Sequence, residues 1–299
     1  MTDWPSYNRS LVRRGEILFE HDFLDLWWDG EIEEMNEKKE GRKYMYPDSL
    51  ILFIGYIRVY FHLPYRQTEG IIKATGKSLP NHPSYSQISR RINNLDIGGG
   101  MSSNKLDDDD DDDAIIAVDS TGIKITNRGQ WLRDKWSVKK KGYLKIHIAV
   151  NIKTKEILDL EVTDEKVHDG KMLCRLVDRT LKQNNAVNIK TVLADGAYDN
   201  NENFRYLREK KILPGIKVRK NSIISPKNNK MRNREVKSQT DDLLKWKKKR
   251  EYGKRWMAET AFSSIKRTYG EHVCATKFQN MVKEMTMKVY LYNLFRRMA

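Results

Sequence analysis

The chain has 299 residues, 39% hydrophobic and 32% charged, which is material for one large domain or a small one followed by a larger one. No apolar run reaches membrane-spanning length, no charged-then-apolar leader follows Met1, and the two cysteines, Cys174 and Cys274, lack disulfide-framework or zinc spacing, so an intracellular, cytoplasmic protein is expected. The net charge of +15 is uneven: residues 1–113 carry 14 Lys and Arg against 21 Asp and Glu, residues 114–299 carry 42 against 20, and that excess predicts a polyanionic partner unless it is only a lysine-rich solvated surface.

Residues 10–97 read as helical. Pro47-Asp48 opens an apolar stretch, Leu50 to Leu63, that Pro64 closes, and Arg66 to Ala74 forms a shorter helix with Gly76 near its end. Ser84 to Leu95 is a third, with Ile88 and Ile92 turned inward and Tyr85, Gln87, Ser89, Arg90 and Arg91 outward. Short helices joined by Pro/Gly turns, the last one polar and basic, fit either a helix-turn-helix-like DNA reader with Arg90 and Arg91 at its surface or an ordinary helical bundle. Residues 98–113 hold three glycines and then seven consecutive aspartates. Adjacent like charges repel and bury nothing, and a plain run lacks the spaced ligands of a calcium loop, so the segment reads as an acidic linker.

From Ala114 the texture becomes α/β. Ala114 to Val118 is a short apolar strand ending at Asp119. Tyr143 to Val150 and Ile157 to Val162 form a pair joined by the Asn151–Lys155 turn. A helix over Gly170 to Lys182 follows, with Asp169 as its cap and His168 as a cap neighbour rather than a metal ligand. Ile189 to Ala194 is a strand ending at Asp195; a helix over Glu202 to Lys210 and a strand over Leu213 to Val218 complete a mixed sheet. Residues 217–250 carry 13 basic against 3 acidic residues and read as an inserted, partly disordered arm that tracks a DNA backbone through Lys247, Lys248 and Lys249. Trp246 in that arm either stacks on an unpaired base or packs on the domain. Met281 to Met298 reads as an amphipathic helix that covers the core or a partner subunit.

Strand-end aspartates are common as turn residues, so Asp119 and Asp195 carry little weight singly. Tyr252, Arg255, Glu259 and Lys266 change that: on a continuous helix their offsets place them within roughly a 60° arc of one face. Met257, Ala261 and Ile265 form the opposite, apolar stripe. Salt bridges and helix packing are the ordinary alternatives for Tyr252, Arg255 and Lys266.

The Tyr252-x2-Arg255-x3-Glu259-x6-Lys266 spacing resembles the hallmark of the DDE transposases of prokaryotic insertion sequences. Asp119-Ser-Thr-Gly and Asp195-Gly-Ala-Tyr-Asp resemble the first and second catalytic blocks of insertion sequence family five. The Trp131–Val150 tract and the Val167-His168-Asp169 step are similar to the same family. The resemblance covers residues 114–270 clearly and the helical front more loosely; the seven-Asp run is not part of it. It implies a ribonuclease-H-like catalytic domain over residues 114–299, with a basic insertion at about 218–250, preceded by a small all-α domain over residues 1–97. It further implies that Asp119, Asp195 and Glu259 are the catalytic, metal-binding triad for two Mg²⁺ ions, or Mn²⁺ in their place. Tyr252, Arg255 and Lys266 are then contacts to double-stranded DNA, and the protein acts as a homodimer or higher assembly on two element ends. A ribonuclease-H-like nuclease without strand transfer and a catalytically silent DNA-binding relative stay open on sequence alone.

Overall fold

The computed structural model describes residues 3–16, 18, 30–75, 81–97, 114–125, 142–183 and 188–298. The acidic linker and the stretch 126–141, including Lys139 to Lys141, fall outside those residues. The chain forms two compact units, one made of Met1–Gly98, Thr268–Gly270 and Ala275–Ala299, the other of Gly99–Arg267 and Glu271–Cys274.

The first unit is helical: α1 (Trp4–Glu16), α2 (Glu31–Asn36), α3 (Asp48–Tyr60), α4 (Tyr65–Thr75), α5 (Tyr85–Asn94) and α11 (Phe278–Arg297). Pro47 precedes α3, whose Leu50, Ile51, Ile54 and Ile57 are buried. A capping box opens α5: Ser84 Oγ accepts from Gln87 N at 3.4 Å and Gln87 Oε1 accepts from Ser84 N at 2.9 Å. Gln87 is therefore occupied at the helix start rather than presented outward, while Ile88 and Ile92 are buried as expected. Arg90 is exposed, with Nε donating to Ser86 O at 3.3 Å. Arg91 turns inward to Asp48 Oδ1 at 2.6 Å, with its guanidinium 4.4 Å from the centre of the Tyr44 ring. Helix α11 packs on α3 and α5. Lys283 Nζ donates to Leu95 O at 2.8 Å, and Tyr290 stacks on Tyr56 with ring centroids 5.8 Å apart. The closing helix thus joins the front helices, a partner its pattern could not name, because long-range packing decides which apolar face it meets.

The second unit is a ribonuclease-H-like α/β fold. Its sheet contains β1 (Ala114–Ile125), β2 (Tyr143–Asn151), β3 (Ile157–Asp164), β4 (Ile189–Ala194), β5 (Leu213–Ile216) and β6 (His272–Val273). The order is β3-β2-β1-β4-β5, with β6 pairing the far end of β1. The β1–β2 and β2–β3 pairs are antiparallel; β1–β4 and β4–β5 are parallel. One sheet face buries Ile116, Val118 and Val192 against Leu173 and Leu176 of α6 (Leu173–Gln183) and Phe204 and Leu207 of α7 (Asn201–Glu209). The remaining helices are α8 (Lys230–Asp241), α9 (Leu243–Lys249) and α10 (Trp256–Tyr269).

Three local expectations change. Strand β1 does not stop at Asp119: it runs on to Ile125, with Asp119 opposite Ile148 and Lys124 opposite Tyr143, because an adjacent antiparallel strand supplies partners that the apolar run alone does not reveal. Asp169 does not cap a helix: it starts a 3-10 turn, Asp169–Lys171, and its carboxylate faces the sheet. The basic stretch after β5 is not an unstructured arm but two capped helices, α8 and α9, with Asn229 and Asp242 accepting from the first-turn amides of Met231 and Lys245.

Candidate active site

Strand alternation sends Val118 and Ser120 toward α6 and Asp119 to the other face of the sheet. The β1–β4 pairing ends at Ala117 opposite Leu193, so Asp119 and Asp195 lie just past the last paired residues of neighbouring parallel strands. Asp195 opens a 3-10 turn, Gly196–Tyr198, and its Oδ1 accepts from Ala197 N at 2.9 Å.

The third acidic residue arrives on α10. The Tyr252–Arg255 segment is a 3-10 turn entered through Glu251 at φ 51°, and the α-helix starts at Trp256, so the expected single helix over residues 252–266 is two pieces. Side chains three apart eclipse in a 3-10 turn, which keeps Tyr252 and Arg255 on one side despite the break. The buried stripe of α10 is Ala258, Ala261, Phe262 and Ile265; Met257 is only half-buried.

These segments converge on Arg255. Its Nη1 donates to Asp119 Oδ2 at 3.1 Å and its Nη2 donates to Glu259 Oε1, so one guanidinium spans two of the three acidic residues. Burial raises the Asp119 carboxyl above the usual carboxylate range, against the pull of the Ser120 amide and Arg255; the Asp195 and Glu259 charges raise it further. That coupling puts all three carboxylates in one field. Burial opposes the charge on Arg255, yet Asp119 and Glu259 hold its pKa above the ordinary value. Burial also raises the Tyr252 hydroxyl. Lys266 Nζ donates to Thr121 Oγ1 at 2.8 Å, two residues along β1 from Asp119. The result is an open cleft lined by Asp119, Ser120, Thr121, Glu259, Lys266 and Arg267.

Three carboxylates are the hard oxygen donors that Mg²⁺ and Mn²⁺ prefer, so the residues fit a divalent ion in kind. As they stand, no three acidic, histidine or cysteine side chains among the described residues are grouped as a metal cage, and the Arg255 guanidinium pairs with Asp119 and Glu259.

Trp246 does not reach the cleft. It is 2% exposed, its Nε1 donates to Glu235 Oε2 at 2.6 Å, and its ring centroid lies 5.1 Å from that of Tyr252. A ring enclosed in this way has no face for a base, so Trp246 packs on the domain. Arg250 completes the buried Glu235 carboxylate, and together these residues clamp α9 to α8 beside the Tyr252 turn. Lys248 and Lys249 are exposed, and Lys247 is half-buried.

Two supporting carboxylates, Asp199 and Asp169, have partners that the sequence does not reveal. Asp199 accepts from Arg232 Nε at 2.7 Å, Ser222 Oγ at 2.7 Å and Arg219 N at 3.0 Å, fastening the segment after β5 to the turn behind Asp195. Asp169 accepts from Ser120 Oγ at 2.7 Å and pairs with Lys145 at 2.9 Å. The visible signals were the Asp closing Asp-Gly-Ala-Tyr-Asp and the Val-His-Asp step; neither tells which distant donor its carboxylate meets.

The comparison with known families agrees with this geometry. Two family models match the chain, each described as a transposase DDE domain, one over residues 110–294 and the other over residues 12–128.

Proposed function

Because the chain belongs to the DDE transposases, we propose that it cuts DNA at the ends of an insertion sequence of the family-five type and joins the freed 3′ ends to target DNA. The observation that carries this reading is the meeting of Asp119 and Glu259 on Arg255, beside Asp195, at the edge of an open cleft. Asp119, Asp195 and Glu259 would hold two Mg²⁺ ions, or Mn²⁺ in their place, and such ions would stabilise the attacking and leaving oxygens of an in-line phosphodiester displacement.

The chain's own residues bind and orient the DNA. An ammonium has three donors and Thr121 takes one from Lys266, so Lys266 can meet a phosphate without leaving β1. Arg255 brings a planar fork suited to phosphate oxygens, and Tyr252 donates its hydroxyl to the DNA backbone. Lys247, Lys248 and Lys249 supply sequence-independent attraction along the duplex. The helices of residues 1–97, with Arg90 outward, act as the reader of the element end, and the α/β unit of residues 99–267 and 271–274 carries the catalytic domain. Joining two ends calls for at least two copies of the chain on DNA.

The test is incubation of labelled element-end DNA, Mg²⁺ and a target plasmid with the wild type, Asp119→Ala and Glu259→Gln. The expected result is cleaved and joined ends with the wild type, and bound but uncut DNA with both variants. Cleavage without joining by the wild type identifies a nuclease instead. Joining by Asp119→Ala at the wild-type rate overturns the assignment.

A further inference from the structure

Resting on the reading of Asp119 and Asp195 as catalytic, we propose that Asp169 is the positioning residue that sets their separation, by bolting the turn it begins to both of the segments that carry them.

The sheet alone does not hold the two aspartates together. The β1–β4 pairing ends at Ala117 and Leu193, and Asp195 lies past β4 at the head of a turn. The 3-10 turn that starts at Asp169 reaches both sides. Toward β1, Asp169 Oδ1 accepts from Ser120 Oγ at 2.7 Å, the residue next to Asp119, and meets Lys145 Nζ of β2 at 2.9 Å. Lys145 Nζ donates in turn to Val167 O at 3.0 Å, closing the ammonium onto the same turn. Toward Asp195, the buried Asn203 Nδ2 donates to Gly170 O and to Tyr198 O, each at 2.9 Å, stitching the two 3-10 turns together. The turns touch closely enough that a Cβ on Gly170 would lie 2.8 Å from Asn200 Nδ2 and 3.0 Å from Ala197 O. The linkage therefore runs from Asp119 through Ser120, Asp169, Gly170, Asn203 and Tyr198 back to Asp195.

This carboxylate has no capping duty that would explain it. The N-cap of its turn is His168, whose side chain makes no cap bond. Ser120 and Asp119 alternate along β1, so Asp169 meets the Ser120 hydroxyl and not the Asp119 carboxylate. It acts through the aspartates and not on the phosphate.

Three variants test this: Asp169→Ala removes the acceptor, Asp169→Asn keeps an acceptor oxygen in place, and Ser120→Ala removes the donor. Two readouts are taken: element-end cleavage resolved into kcat and KM, and Mn²⁺ binding to the DNA-free protein by electron paramagnetic resonance. Loss of a group that orients metal-site residues costs roughly 10–100-fold. Asp169→Ala is expected to lower kcat and Mn²⁺ affinity by a factor in that range with KM for DNA unchanged. Ser120→Ala should move both the same way, and Asp169→Asn should recover most of the loss. Wild-type kcat and Mn²⁺ affinity in Asp169→Ala, or no recovery in Asp169→Asn, overturns the proposal. If Asp169→Ala does not melt cooperatively, Ser120→Ala decides by the same measures. If the wild type cuts no DNA, the functional reading fails, and the Mn²⁺ affinities still decide whether Asp169 positions the aspartates.

Discussion

Arg255 and Asp119 are 136 positions apart in sequence, yet Arg255 Nη1 lies 3.1 Å from Asp119 Oδ2 while the other arm of the guanidinium holds Glu259. Arg255 and Asp119 are mostly buried, so removing the cation leaves a carboxylate without its charged partner. Arg255→Ala is expected to destabilise the fold by about 1–3 kcal/mol in urea unfolding at pH 7. Arg255→Lys should recover part of that, because an ammonium can pair with Asp119 but lacks the fork that spans to Glu259. Equal stability for wild type and Arg255→Ala would show that the contact is not formed in solution.

Trp246→Phe keeps the ring and deletes the indole donor to the buried Glu235. The expected cost is about 1–3 kcal/mol in thermal or urea unfolding, the penalty for an acceptor left short of a partner. Quenching of 2-aminopurine placed at the element end should be the same for wild type and variant. A quench that disappears in Trp246→Phe would show that the indole stacks on a base after all.

Lys248 and Lys249 extend from α9 into solvent. If each neutralises one phosphate, Lys248→Ala and Lys249→Ala weaken DNA binding similarly for all sequences. Each should also flatten the dependence of log Kd on log salt concentration by about one phosphate contact. An unchanged slope places the DNA path elsewhere.

His147 on β2 is fully enclosed, with Nε2 2.9 Å from Thr163 Oγ1 and Nδ1 3.6 Å from Asp169 Oδ1. Burial lowers its pKa to about 4 despite the Asp169 charge. The unfolded chain then takes up a proton that the folded one refuses, so stability present above the unfolded value of about 6.5 declines as pH falls toward 4. Urea melts at pH 7.5, 6, 5 and 4 should show this decline, and His147→Gln should lessen it. A variant that loses stability as steeply as the wild type over that window assigns the effect to other groups.

The candidate site residues were legible because their types and spacings are local. The Tyr-Arg-Glu-Lys spacing around Glu259 and the apolar runs leading into Asp119 and Asp195 reflect interactions within a few residues. An α/β sheet behind a helical front followed from the same periodicities. The continuation of β1 past Asp119, the attachment of α11 to α3 and α5, the burial of Trp246 on Glu235, and the turn of Asp169 toward Ser120 were decided only in the tertiary structure. Each depends on a partner 11 to 234 positions away. A residue's own pattern shows that its side chain needs burial or a donor, but which distant group meets that need is settled when the elements pack. Asp119, Asp195 and Glu259 could therefore be named from the sequence, while the Arg255 bridge and the Asp169 linkage had to be seen in the fold.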